Sequence, residues 1–360
     1  LALALSESDP ARSIEILADL SRRTQQSDVA TLVKATALYN IAIDSGHFID
    51  AERALDHLSR VADSSNSWYL DLRSKLLLAA VNSVDIESNL QDEYRRLAND
   101  NYDKLSAFDS NPVAVRARGS YLFAVGDFDA LLVEVSAADK DGVANTYNRL
   151  YAASVYYASG RLRNALELVN QIGGDTNDLS AVANQVIVRI GYTNELNEAA
   201  DSLSESIQQS EGGMSLGLYP GYFYLLGPEF SDRAIIVSRE VQLRKIDQVS
   251  KVRDNWYRHL LDFHAGVIDV DRLLYHARGS RLNQCEANFL IGIRELCSGN
   301  RSKAQYFLKQ CVDTKVWFYY EYVWGQAFLK RMEDPNWVPW IPVEFQDERA
   351  DDAQALEVLE

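Results

Sequence analysis

The sequence predicts an all-α protein built as an α-α solenoid of antiparallel helix pairs, and three observations predict it. Apolar residues recur at three- and four-residue intervals along nearly the whole chain, as in Leu32, Ala35, Leu38, Tyr39 and Ala42, then Ala51, Ala54, Leu55 and Leu58. That is the pattern of a helix with one buried stripe, and alternating stretches of strand length are absent. Gly126, Gly160 and Asn194 open successive turns and lie 34 and 34 residues apart, an interval that belongs to helix-turn-helix repeats. The chain's 360 residues exceed one ordinary core, and a repeat array accommodates such length by growing along its axis.

Taken in order, the first pair centres on Gly46. Ser64 to Phe108 reads as two more helices without a clean register, and the step from Gly46 to Gly126 exceeds two repeats by an amount that an insertion of added helical length supplies. Pro112 to Ile207 holds the three best units. A small residue stands five places after the turn (Ala51, Ala165, Ala199, Ala304) and a bulkier apolar one four later (Leu55, Val135, Val169, Leu203, Leu308). Another small residue lies seven before it (Gly119, Ala153, Gly292), where the first helix of a pair is expected to touch the second. Further units centre on Gly266 and Gly299. Between the arrays, Gly212 to Gly221 carries four of the eighteen glycines and reads as a loop or boundary. The rings after it (Tyr219, Tyr222, Phe223, Tyr224, Phe230) read as a plug between two helical lobes or as an exposed contact patch, packing being favoured because large apolar patches are seldom left uncovered. Trp317, Tyr320 and Trp324 fall at i, i+3 and i+7, one face of a final helix that caps the array. Trp337, Pro339, Trp340 and Pro342 then form an extended strap; in the alternative, Trp317, Tyr320, Trp324, Trp337 and Trp340 make a second contact surface for a partner. The resulting division is an N-terminal array over 1–207, a linker or plug over 208–232, a C-terminal lobe with its cap over 233–331, and a strap with an acidic tail over 332–360.

These offsets resemble the tetratricopeptide repeat family, best over 112–207 and over about two thirds of the chain in all. The family's early Trp is missing and its terminal Pro is absent from most units. The resemblance implies a right-handed superhelix whose inner groove is lined by the first helix of each pair. A second likeness runs from Asn283-Gln284-Cys285-Glu286-Ala287-Asn288-Phe289 through Phe318-Tyr319-Tyr320-Glu321-Tyr322 to Asp334-Pro335-Asn336-Trp337-Val338-Pro339-Trp340-Ile341-Pro342. It is similar to the repeat tails that follow planctomycete-type bacterial serine/threonine protein kinases, and to free-standing repeat proteins of those bacteria. That implies a bacterial protein and a regulatory tail of a larger signalling protein, although no kinase motif is present in this sequence.

With the turn glycine as register, the groove-facing positions are Arg116, Ser120 and Phe123, then Tyr147, Ser154 and Tyr157, then Asn184. Arg116 and Asn184 suit a peptide backbone or carboxylate, and the tyrosines offer wide amphipathic contact area; the same tyrosines also suit packing between neighbouring repeats. The family's two-Lys, two-Asn carboxylate clamp is not reproduced.

No catalytic residue, metal site or cofactor is expected. No His-Glu-x-x-His, phosphate-binding Gly loop or nucleophile elbow occurs, and His259 and His264, five apart, point about 140° away from each other on a helix. Cys285, Cys297 and Cys311 match neither a zinc pattern nor a disulfide framework and read as buried thiols. The net charge of −16 disfavours nucleic acid, and no apolar run reaches membrane-spanning length, so a soluble protein of the cytoplasm or periplasm is expected. The charge is uneven: 233–331 holds 17 basic and 10 acidic residues, whereas 332–360 holds one basic and nine acidic, a basis for self-association of lobe and tail. The expected function is a non-catalytic scaffold for a protein or peptide segment. The alternatives are a carrier of a small or lipid-like ligand near 214–230, and a helical-repeat enzyme in which His259 or His264 converges with carboxylates.

Overall fold

From Leu70 to Val81 the sequence runs Leu-Asp-Leu-Arg-Ser-Lys-Leu-Leu-Leu-Ala-Ala-Val, and a helix this apolar on all sides has to be covered on all sides. In the computed structural model of the chain it is: the helix Ser67–Val81 buries eleven residues and meets helices that precede and follow it in sequence. The structure describes residue 14 and residues 28–61, 64–108, 111–172, 187–188, 195–210, 213–249 and 255–340.

Among the described residues there are sixteen α-helices, two 3-10 segments and no strand, so the all-α class stands. In order they are α1 Asp28–Ser45, α2 Phe48–Leu58, α3 Ser67–Val81, α4 Ser88–Leu105, α5 Pro112–Val125, α6 Phe128–Lys140, α7 Thr146–Ala158, α8 Leu162–Ile172, α9 Leu196–Gln209 and α10 Gly213–Leu218. The 3-10 segments Tyr219–Leu226 and Pro228–Phe230 follow, then α11 Ser231–Val249, α12 Trp256–His264, α13 Val270–Ala277, α14 Arg281–Cys297, α15 Arg301–Asp313 and α16 Tyr320–Arg331. No described helix is long and apolar enough to cross a membrane.

The helix ends follow from local chemistry. Asn111 accepts from the backbone N–H groups of Val113 and Ala114 ahead of Pro112, whose missing N–H costs nothing in the first turn. All five register glycines, Gly46, Gly126, Gly160, Gly266 and Gly299, are left-handed, with φ of 72, 80, 83, 73 and 77°, the conformation that reverses a chain after a helix. At Gly126 open space surrounds the missing Cβ, so backbone conformation alone demands glycine there. The fourth turn position, Asn194, lies outside the described residues.

Two compact units result, each drawn from three stretches of sequence: Leu1–Ala152, Val270–Phe289 and Gln310–Val323 in the first; Ala153–Asp269, Leu290–Lys309 and Trp324–Glu360 in the second. In the first, α1 packs on α2 and α3, α3 on α4 and α5, and α5 on α6, around Leu32, Ala35, Leu58, Leu72, Leu76, Leu105 and Ala114. α4 has 18 residues against 11 in α2. Gly119 was expected to touch the second helix of its own pair. Its nearest neighbour is Asn148 of α7, whose side chain would stand 2.4 Å from an added Cβ and whose amide donates to the Val115 carbonyl at 2.8 Å. Gly292 does meet its paired helix, at Leu308. The first unit is closed by residues far apart in sequence: Arg281 donates to the carbonyls of Ile43 at 3.0 Å and Asn82 at 3.1 Å, and Ser280 bonds Asp44. The guanidinium is buried and faces two helix C-terminal ends, where the backbone dipole favours a cation.

In the second unit the stretch expected as a loop is a short helix followed by 3-10 turns. All eight residues of Tyr219–Leu226 are buried, and the glycines permit close approach: an added Cβ on Gly217 would lie 2.4 Å from that of Tyr257, and one on Gly221 would lie 2.5 Å from His264 and Leu290. Trp317 precedes α16 rather than lying on it. After α16 the chain turns irregularly, and Arg301 holds it by donating to the carbonyls of Met332 at 2.9 Å, Asp334 at 2.5 Å and Trp337 at 2.6 Å.

Candidate functional site

The groove positions of the first unit begin with Arg116 on α5. Its Nη2 donates to Asp71 Oδ2 at 2.9 Å, and Lys75 Nζ reaches the same oxygen at 2.9 Å. The Asp71 side chain is 3% exposed, and its Oδ1 has no hydrogen-bond partner among the described residues. A buried carboxylate shared by two cations fixes where the Arg116 head sits, while the Arg116 side chain itself remains 37% exposed. Ser120 hydrogen-bonds the Tyr151 hydroxyl, which burial pushes above the usual phenol range. Phe123 is buried, stacked on Tyr151 at 4.4 Å between ring centres and edge-on to Tyr322 at 6.4 Å. Tyr147, 39% exposed, lies parallel to Tyr320 at 6.3 Å.

In the second unit Ser154 and Tyr157 are buried. Three rings from C-terminal residues surround Tyr157: Trp324 at 5.5 Å, Phe328 at 5.9 Å and Trp337 at 6.4 Å. Edge-to-face pairs such as Tyr157 with Trp324 add to the area term. The Tyr157 hydroxyl has no partner among the described residues, and burial pushes its pKa well above the usual phenol range. Asn184 lies outside the described residues, as do Pro342 and the acidic tail.

Each described groove position except Arg116, Ser120 and Tyr147 is buried, and C-terminal residues of the chain itself lie against Phe123, Tyr147 and Tyr157. Of the five residues read as a second contact surface, Trp317, Trp324 and Trp337 are buried and Tyr320 and Trp340 half-buried, with Trp340 set against Gly227. These rings are packed against the chain itself.

His264 is buried against Gly221, Tyr224, Phe263 and Leu290, with neither ring nitrogen hydrogen-bonded among the described residues. Burial, aided by Arg294, pushes its pKa down to about 3, so the ring is neutral at pH 7. The sequence reading missed Asp71, Tyr151 and Arg281. Asp71 is the only carboxylate in the helix Ser67–Val81, a signal for a paired buried charge where the neighbours are apolar, but without a register for 64–110 its partner was not legible. Among the described residues no group of three or more His, Cys, Asp or Glu is placed to hold a metal.

No protein-family model matches the chain, and no curated protein matches it at a significant level.

Proposed function

We propose that the chain is a non-catalytic scaffold of tetratricopeptide-like helix pairs that binds a protein or peptide segment along the inner faces of its first helices. The observation that carries this reading is the ring enclosure of Tyr157: a position assigned to the groove by its register is engaged by polypeptide, namely Trp324, Phe328 and Trp337 of the same chain. Supporting it are the left-handed glycines at every described register turn. Arg116 and Tyr147 form the part of the groove open to a second segment, one supplying a guanidinium for a carboxylate or backbone carbonyl, the other a ring face. Within the reading, the chain acts as a regulatory tail of a bacterial signalling protein.

The test compares affinity purification by the intact chain with that by the Arg116→Lys, Tyr147→Ala double variant. Lysine keeps a cation for Asp71 but removes the planar fork. Partners held by the intact chain and lost by a normally folded variant support the reading; partners held equally by both place the binding elsewhere.

A further inference from the structure

Three cysteines fall in one stretch of sequence, and two of them meet. Cys285 lies on the first turns of α14 and Cys311 near the end of α15, 26 residues on, and their Sγ atoms stand 3.5 Å apart with both residues 0% exposed. Cys311 Sγ–H also donates to the Glu321 carbonyl at 3.4 Å, in the first turn of α16. Cys297, 12 residues along α14 from Cys285, is buried without a second sulfur beside it among the described residues.

We propose that Cys285 and Cys311 are a site of oxidative modification, a thiol pair that takes up a small disulfide-class oxidant and becomes an intramolecular disulfide. A disulfide has sulfurs about 2.05 Å apart, so the two need to approach by roughly 1.5 Å, a movement within reach of side-chain torsions on two adjacent helices. The environment accommodates both the reduced pair and the product. Burial and the neighbouring Cys285, Glu321 and Glu286 raise the Cys311 pKa well above the ordinary thiol value, which disfavours the thiolate; the neutral thiol and the uncharged disulfide are the states that suit an apolar interior. The same burial makes the reaction slow, because exchange proceeds through a thiolate reached only when α14 and α15 part locally.

The steps balance as thiol–disulfide exchange. One protein thiol gives up its proton and its thiolate attacks a sulfur of glutathione disulfide, forming a mixed disulfide and releasing one glutathione thiolate, which takes the proton. The second protein thiol, deprotonated in turn, attacks the protein-side sulfur of the mixed disulfide and releases the second glutathione thiol. Two protein thiols are oxidised to one disulfide, and one glutathione disulfide is reduced to two thiols.

The experiment equilibrates the full chain in oxidised and reduced glutathione, traps free thiols by alkylation, and maps peptides by mass. The expected result is a Cys285–Cys311 linked peptide with Cys297 alkylated, reversal by dithiothreitol, and an oxidised melting temperature higher by about 5 °C. Cys297→Ser behaves as the parent; Cys285→Ser and Cys311→Ser form no internal link, and their melting temperatures do not rise with the oxidant. The proposal is overturned if the pair stays alkylatable when oxidised glutathione is in large excess, if its sulfurs end in mixed disulfides, or if Cys297 takes part in the link. Since the mass map is read on the parent chain, a serine variant that fails to fold leaves the test intact.

Discussion

Rings from residues 320–337 pack within both units, Tyr320 and Tyr322 in the first and Trp324, Phe328 and Trp337 in the second, but the first also carries a buried polar closure. In the first, residues near position 280 are bound to the N-terminal helices through polar groups: Arg281 on the carbonyls of Ile43 and Asn82, and Ser280 on Asp44. In the second, C-terminal residues are bound by rings, with Trp324, Phe328 and Trp337 around Tyr157, while Arg301 secures the chain after α16. A directional closure depends on a few donors in place, so a single missing group is costly; a ring closure depends on volume, so a deleted polar atom is cheap and a deleted ring is not.

The sharpest test of that difference is Tyr157→Ala, expected to cost about 4 kcal/mol because a fully buried ring is removed and three rings lose their partner, measured by chemical denaturation. Tyr157→Phe, by contrast, is expected to be neutral or slightly stabilising, since the hydroxyl is buried without a partner. Next is Arg281→Ala, expected to cost about 3 kcal/mol as two helix-end carbonyls lose a charged donor. Hydrogen exchange read separately over 28–152 and 195–269 is expected to localise each loss to its own unit. If Tyr157→Phe proves as costly as Tyr157→Ala, the second unit is held by a polar contact after all.

Acid sharpens the comparison further. The folded-state pKa of His264 is pushed down to about 3, below the ordinary value near 6.5. The unfolded chain therefore binds more protons between those two values. The contribution is complete above pH 6.5 and is lost as pH falls, by about 2 kcal/mol at pH 5. His57 in the first unit, pushed down to about 4 by burial with help from Lys34 and Arg60, moves in the same direction over a narrower window. The His264→Phe variant should reduce the pH dependence of stability over pH 3–6.5 and leave the His57 component in its narrower window; an unchanged slope would show that His264 is not the group responsible. The smallest effect is at Gly126. Its φ of 80° makes Gly126→Ala cost about 1 kcal/mol through backbone strain, with no steric part.

The sequence was most readable where one period governs it. Ala165, Val169, Leu203 and Leu308 are buried and the register glycines are left-handed, because an amphipathic helix buries one stripe and a reversal after a helix favours positive φ. The groove was less readable. Its positions follow from the repeat register, but the Tyr322 ring against Phe123 and the three rings around Tyr157 come from residues 165 or more positions away, and neither period nor composition specifies such pairings. The glycines at 217 and 221 misled for a related reason: their spacing suggested a loop, whereas they permit Tyr257 and His264 to approach the backbone. Asp71 was obscured because its helix, apolar all round, has no face from which to read a register.

The most direct test of the scaffold reading is the affinity purification with Arg116→Lys, Tyr147→Ala, run with circular dichroism and melting on the same protein. The account predicts a partner retained by the intact chain and lost by a variant whose fold and melting temperature are unchanged. A partner retained equally by both would contradict it.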